Sequence, residues 1–183
     1  MIDRKFFFDY VRAQLFGKSL TQGQVDGMEA ILAEWDRLHP ARDPRWLAYI
    51  LATAHHETDR TMQPIEEYGR GIGHPYGKPD PLTRQTYFGR GFVQITWKFN
   101  YEVMGKRLGI DLVTRPELAL DLKIAVEILF TGMMDGTFTG VGLGNYFRAN
   151  KEDWINARRI VNGLDKAALI AGYGKYYLVA VGN

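Results

Sequence analysis

The 183-residue chain has no cysteine, which excludes a disulfide framework and a thiolate zinc site. Histidine is scarce, at four residues. His55-His56-Glu57 opens like a zincin helix, but the position four after His56 is Arg60, so the His-Glu-x-x-His spacing fails. No metal and no cofactor are expected. A surplus of one charge is also missing: 23 Lys and Arg stand against 21 Asp and Glu, a net charge of +2. That excludes a dedicated nucleic-acid binder while leaving room for a mildly basic face toward an anionic polymer. No apolar run approaches the roughly 20 residues of a membrane span, so no stable membrane insertion is expected. The start, "MIDRKFFFDYVRAQLFG", is too charged and too broken for a secretory h-region, which implies synthesis in the cytoplasm. "GKPD" lacks the spacing of a phosphate loop. Internal repeats, linkers and low-complexity tracts are absent, so residues 1–183 read as one domain, a monomer.

What is present is apolar and aromatic, 46% and 13% of the residues, enough for a sizeable core. Asp3 to Phe16 reads as a short helix. A second follows in "SLTQGQVDGMEAILAEWDRL", where Thr21 and Gln24 have capping-box spacing ahead of the Val25, Met28, Ile31, Leu32 and Trp35 stripe. Asp43 and Pro44 suit the start of a third helix, with Leu47, Ile50, Leu51 and Ala54 on one face. Glycines and prolines between Tyr68 and Thr96 exclude long helices there, and "YFGRGFVQITW" reads as a strand after a turn. Helical signals return in "NYEVMGKRLG", in "LKIAVEILFTGMM" capped by Asp121, in "KEDWINARRIV" capped by Asn150, and in "KAALIAGYGKYYLVAV" capped by Asp165. "GTFTGVGLGNYF" is a glycine-rich loop. The fold class is α+β, mostly α, with a small irregular β-hairpin beside a helical body.

One stretch carries chemistry. "AHHETDRTMQPIEEYG", residues 54–69, places Glu57, Asp59, Glu66 and Glu67 within eleven positions. Glu57 lies two turns after Ile50, at the end of the buried stripe, and Glu66 follows on a loop able to fold back over it. Burial favours a neutral carboxyl group, whereas a polar, glycine-flanked loop keeps one charged. One protonated and one ionised acid is the requirement of glycosidic cleavage.

"AHHET", "IEEYG" and "YFGRGFVQITWKFNYEVMGKRLGIDLVTRPELALD", with "ARRIVNGLDKAALIAGYGKYY" later, resemble the catalytic domain of glycoside hydrolase family 19. This is the family of plant-type chitinases and of many bacteriophage endolysins. The resemblance spans about 45–178, with residues 1–44 as helices packed on that body, and implies a lysozyme-like architecture. By resemblance, Glu57 matches the general acid and Glu66 the second carboxylate, which activates a water for an inverting displacement. Glu67 is an alternative base one position away, and spacing from Glu57 favours Glu66. Gln94, Thr96 and Asn100 match sugar-cleft residues, and Asn162 a cleft asparagine on the opposite lobe. Tyr87 joins them as a candidate substrate-binding residue, and it and Trp97 read equally as sugar platforms and as core. The others also have plainer readings: Gln94 and Thr96 facing water, Asn100 as an N-cap, Asn162 as a helix stop. The chain has Asp59-Arg60 where many members have Gly-Gly, which leaves the 58–66 path open. The expected substrate is peptidoglycan, with chitin as the alternative and an inactive glycan-binding module as the alternative of another class. The lack of cysteines and of a recognisable leader or wall-binding module suggests an endolysin acting on the periplasmic cell wall once a holin opens the inner membrane, for host cell lysis.

Overall fold

The computed structural model describes residues 2–38 and 41–182. Helix α1 (Arg4–Gln14) starts where the Asp3 side chain accepts from Phe6 N. Helix α2 (Gln22–Leu38) starts on a reciprocal capping box. Thr21 N donates to Gln24 Oε1 at 2.8 Å and Gln24 N to Thr21 Oγ1 at 3.2 Å. Helix α3 (Pro44–Glu57) has Pro44 in its first turn and the Asp43 carboxylate on Arg45 N. These beginnings are local in origin, and they fall where the side-chain chemistry places them.

Helix α3 runs through the middle of the domain rather than lying on it with one face. Every residue from Leu47 to His55 is buried, against α6 (Ala167–Val181) along its length and against α2 and α5 (Leu122–Asp135) on other sides. A helix buried all round is anchored by hydrophobic contact in every direction, so its last residues are held firmly where they emerge. Helix α4 (Lys98–Leu108) packs on α5 and ends at Gly109, whose φ of +68° is the left-handed stop of a helix C-terminus.

The β-structure is small. Strand β1 (Ile65–Glu66) pairs antiparallel with β2 (Arg90–Gly91), Ile65 opposite Gly91 and Glu66 opposite Arg90. The long strand expected over 87–97 is not formed. Gly91 (φ +85°), Gln94 (φ +53°) and Trp97 (φ +73°) adopt left-handed backbone, and the chain turns back on itself. Ile95 N donates to Arg90 O at 2.9 Å. A second hairpin, β3 (Phe147–Arg148) with β4 (Lys151–Glu152), occupies the start of the helix expected after Asn150. The rest of that segment is a 3₁₀ turn, Asn156–Ile160, begun by Asp153, whose carboxylate accepts from Asn156 N at 3.0 Å. Its anchor is Trp154, buried so closely on Gly174 that a Cβ there would lie 2.6 Å from the ring. Asp165 does not cap α6 either; that role falls to Lys166, in left-handed conformation, with no side-chain cap. Among the described residues no helix is long and apolar enough to cross a membrane.

Candidate active site

The cleft opens where α3 emerges. It encloses about 430 Å³ between the end of α3, the β1–β2 hairpin, the start of α4 and the turn after residue 160. Glu57, Glu67, Gln94, Thr96, Asn100 and Asn162 all line it, with Tyr76, Trp97, Phe138 and Val161. Side chains singled out in the sequence therefore converge on one space. Glu66 and Tyr87 do not line it.

Glu57 is the last residue of α3, and its side chain is 15% exposed. Thr58 locks the helix end: its Oγ1 donates to Ala54 O at 2.7 Å and accepts from Met62 N at 3.1 Å. The chain then turns through Asp59 (φ +48°), Arg60 (φ +67°) and Met62 (φ +52°). Asp59 and Arg60 stand where many family 19 sequences have Gly-Gly, and both adopt the left-handed backbone that glycine accepts without strain. Tertiary bonds hold the turn in place: Arg60 Nη2 donates to Leu15 O, Gln24 Nε2 to Arg60 O and Gln63 Nε2 to Gly23 O. The turn sits on α2 at Gly27, where a Cβ would lie 1.6 Å from Met62 O. The 58–66 path is thus set by docking on α2.

The environment of Glu57 is not the purely apolar one expected. Arg158 Nη1 donates to Glu57 Oε1 at 2.5 Å, and its Nε donates to Asp165 O at 3.1 Å. The Arg158 side chain is 3% exposed. Arg158 was missed in the sequence because it stands 101 residues from its partner, with no local pattern to join them. Its clue was its place in "ARRIVNG", four residues before Asn162.

Glu66 ends β1, and Glu67, the next residue, continues the extended chain by pairing its N–H with Gly89 O, so the two side chains take different partners. Glu66 faces away from the cleft, toward Arg70 at 2.8 Å and the buried Arg90 at 3.9 Å. Glu67 faces into it. Its Oε2 accepts from Gly89 N at 3.1 Å, its Oε1 accepts from the Tyr76 hydroxyl at 3.1 Å, and its own N–H donates to Gly89 O at 2.7 Å. Of the two adjacent acids, Glu67 is the one that lines the cleft together with Glu57, and Glu66, the residue favoured by spacing, does not line it.

The polar lining is tied to the hairpin. Gln94 Nε2 donates to Ile65 O and Gly91 O, Thr96 Oγ1 to Gln94 O, and Asn100 Nδ2 to Thr96 O at 2.7 Å. Asn100 thus sits inside the first turn of α4, not at its cap. Gln94 commits both amide N–H groups to the backbone, which leaves its carbonyl oxygen for a ligand's N–H or O–H, while Asn100 commits one and keeps its carbonyl oxygen and a second N–H. Asn162, also on the cleft lining, accepts through Oδ1 from the N–H of the next residue, Gly163, at 2.8 Å. Tyr87 is buried behind this layer, its hydroxyl paired with Thr83 Oγ1 and Val113 O; it is core, not a sugar platform. Trp97, half exposed, lines the cleft with Tyr76 and Phe138. Phe138, from the glycine-rich loop, was not foreseen. It packs on Gly132 of α5, where a Cβ would lie 1.9 Å from its ring.

His55, two residues before Glu57, is fully buried. Its Nδ1 lies 2.9 Å from the Tyr177 hydroxyl, its Nε2 has no partner among the described residues, and Phe16 and Tyr173 flank the ring. Burial, reinforced by the charge of Arg60 and by His56, lowers its pKa from 6.5 to about 4. The unfolded chain takes up this proton as pH falls below 6.5, the folded chain only near 4. Its contribution is complete above pH 6.5 and is lost as pH falls toward 4, by up to about 3 kcal/mol. Denaturant titrations from pH 7 to 4 should show this loss, and His55→Phe should flatten it. Equal slopes for the two proteins would refute the assignment.

The domain defined by this fold and cleft is lysozyme-like, with carboxylates on two walls of an open groove. Residues 74–135 match the family model of class I chitinases, glycoside hydrolase family 19. An endochitinase of Arabidopsis thaliana is 40% identical over 78 residues, 40% of this chain and 26% of its own. An endochitinase of Avena sativa is 29% identical over 136 residues, 71% of this chain and 58% of its own. The chain thus spans less than two thirds of the length of either relative. Among solved structures, a bacterial family 19 chitinase superposes with a TM-score of 0.61, at 19% identity, over 99% of this chain and 95% of that one. Chitinase C of Streptomyces griseus superposes with a TM-score of 0.65, at 18% identity, over 100% of this chain and 77% of that one. These two likenesses show the fold. With the matched segment, they bear out the resemblance to glycoside hydrolase family 19.

Proposed function

We propose that the chain is a glycoside hydrolase that cleaves β-1,4 bonds in a polymer of N-acetylhexosamines. Glu57 acts as general acid and Glu67 as the base that activates water. The observation that carries this reading is the convergence of these two carboxylates on one polar cleft. Glu57, largely enclosed and held by Arg158 through Oε1, presents Oε2 to the leaving oxygen. Glu67, fixed by Gly89, accepts a proton from water on the other side of the bond. Gln94 and Asn100 accept from the sugar's N-acetyl N–H and hydroxyls, and Trp97 offers an apolar face to a ring. Displacement by water inverts the anomeric centre, so the first product is the α-anomer.

Peptidoglycan glycan strands are the substrate favoured here, in keeping with a cysteine-free, mildly basic chain. Lysis of a host cell after a holin opens its inner membrane belongs to that reading and falls with it. Chitin is the second reading, supported by the names of the relatives, which are endochitinases. Mass spectrometry of digested sacculi separates them. Reducing-end muramic acid identifies a muramidase and reducing-end glucosamine a glucosaminidase. Oligosaccharides from chitin with no products from sacculi would make chitin the substrate. Binding to both polymers without cleavage of either would leave a glycan-binding module.

A further inference from the structure

We propose that Tyr76 is a positioning residue for Glu67, its hydroxyl setting the orientation of the carboxylate while its ring forms part of the cleft wall. The inference rests on the reading of Glu67 as base. Gly89 clamps Glu67 at two points, but both lie on one side: the backbone N–H and Oε2. A carboxyl group so held can still swing its second oxygen. The Tyr76 hydroxyl, 3.1 Å from Oε1, stops that swing and leaves the remaining lone pairs to face the cleft.

Tyr76 is itself held as a positioning group should be. His74 stacks on its ring at 5.0 Å and 3°, and Trp97 meets it edge-on at 5.1 Å and 77°. Tyr87 N donates to Tyr76 O at 3.0 Å, and Trp97 N donates to Tyr87 O at 2.8 Å, so three backbone segments are laced in a row beneath the cleft. Gly71 and Gly77 meet back to back beside the ring: a Cβ on Gly71 would lie 2.7 Å from Gly77 Cα and 2.8 Å from the Tyr76 ring. Gly71 and Gly77 of "YGRGIGHPYGKPD" thus let this loop fold tightly beside one tyrosine. Burial first, then the hydrogen bond to Glu67 and its charge, push the Tyr76 phenol above its ordinary range.

The arrangement separates two functions of one side chain. Tyr76→Phe keeps the ring and removes the donor. It should lower kcat about tenfold, the effect of one hydrogen bond to a charged group, with KM and melting temperature nearly unchanged. The acid-side limb of its pH–rate profile should move to higher pH, because the ionised base has lost a donor. Tyr76→Ala removes the ring as well and should raise KM in addition. These constants are measured on soluble oligomers of whichever polymer the wild-type protein cleaves. An unchanged kcat and unchanged acid limb in Tyr76→Phe, beside an inactive Glu67→Gln, would overturn the positioning role and leave the base in place. An active Glu67→Gln, or a wild-type protein that cleaves neither polymer, would overturn both.

Discussion

Glu57→Gln is expected to lower turnover by about 10²–10⁴-fold, because the amide has no proton to deliver to the leaving oxygen. The same change should also lower stability. The new amide would still accept from Arg158 Nη1 through its carbonyl oxygen, but the guanidinium, 3% exposed, would lose its counter-charge. Breaking a buried pair costs about 3–5 kcal/mol when no acceptor is left. With an amide oxygen still in place, a loss of about 1–3 kcal/mol is expected. The double variant Glu57→Gln with Arg158→Gln separates the two effects. It removes both charges, so it should recover part of the melting temperature and none of the activity. Turnover of purified sacculi and of chitin oligomers, read beside thermal unfolding, decides the case. Near wild-type turnover by Glu57→Gln would remove Glu57 from the mechanism.

This dual effect shows which parts of the site were legible in the sequence. The helix starts at Asp3, Thr21–Gln24, Asp43–Pro44 and Asp121 were readable because each cap bonds a backbone N–H within three residues. Glu57 was readable for a similar reason: two turns of α3 connect it to Ile50. Where two signals competed, tertiary contact decided. Asn150 could have capped a helix, but pairing of Phe147 with Glu152 and the burial of Trp154 on Gly174 drew the segment into a hairpin and a 3₁₀ turn. Neither partner is visible in a local window. Arg158 was hidden in the same way. The strand expected over 87–97 had the right alternation of residues but broke on left-handed backbone at Gln94 and Trp97, residue types that do not announce it. The cleft residues on this hairpin were found by family resemblance, and alternation alone would have placed them wrongly.

The second large effect concerns the neighbouring acids, Glu66 and Glu67. Spacing along a loop cannot separate two adjacent residues; strand register can, because it sends them to opposite faces. Glu66 is opposite Arg90 in the β1–β2 pair, and its carboxylate is shared by the exposed Arg70 and by Arg90, whose side chain is 6% exposed. Arg90 Nε has no hydrogen-bond partner among the described residues, so the charge of Glu66, 3.9 Å away, is the compensation available to it from the described carboxylates. Glu66→Gln should therefore cost about 1–2 kcal/mol of stability, a few degrees of melting temperature for a chain of this size. It should leave most of the turnover intact. Glu67→Gln should do the reverse. Its amide can still accept from Tyr76 or Gly89, so the hairpin holds. It cannot take a proton from water, and turnover should fall by about 10²-fold or more. The two variants, each assayed for turnover and thermal unfolding, give a crossed pattern if the register is as described. Lost turnover with an unchanged melting temperature in Glu66→Gln would return the base to Glu66. Full turnover in both variants would mean that neither carboxylate activates the water, and Glu57 would have to act with a different partner.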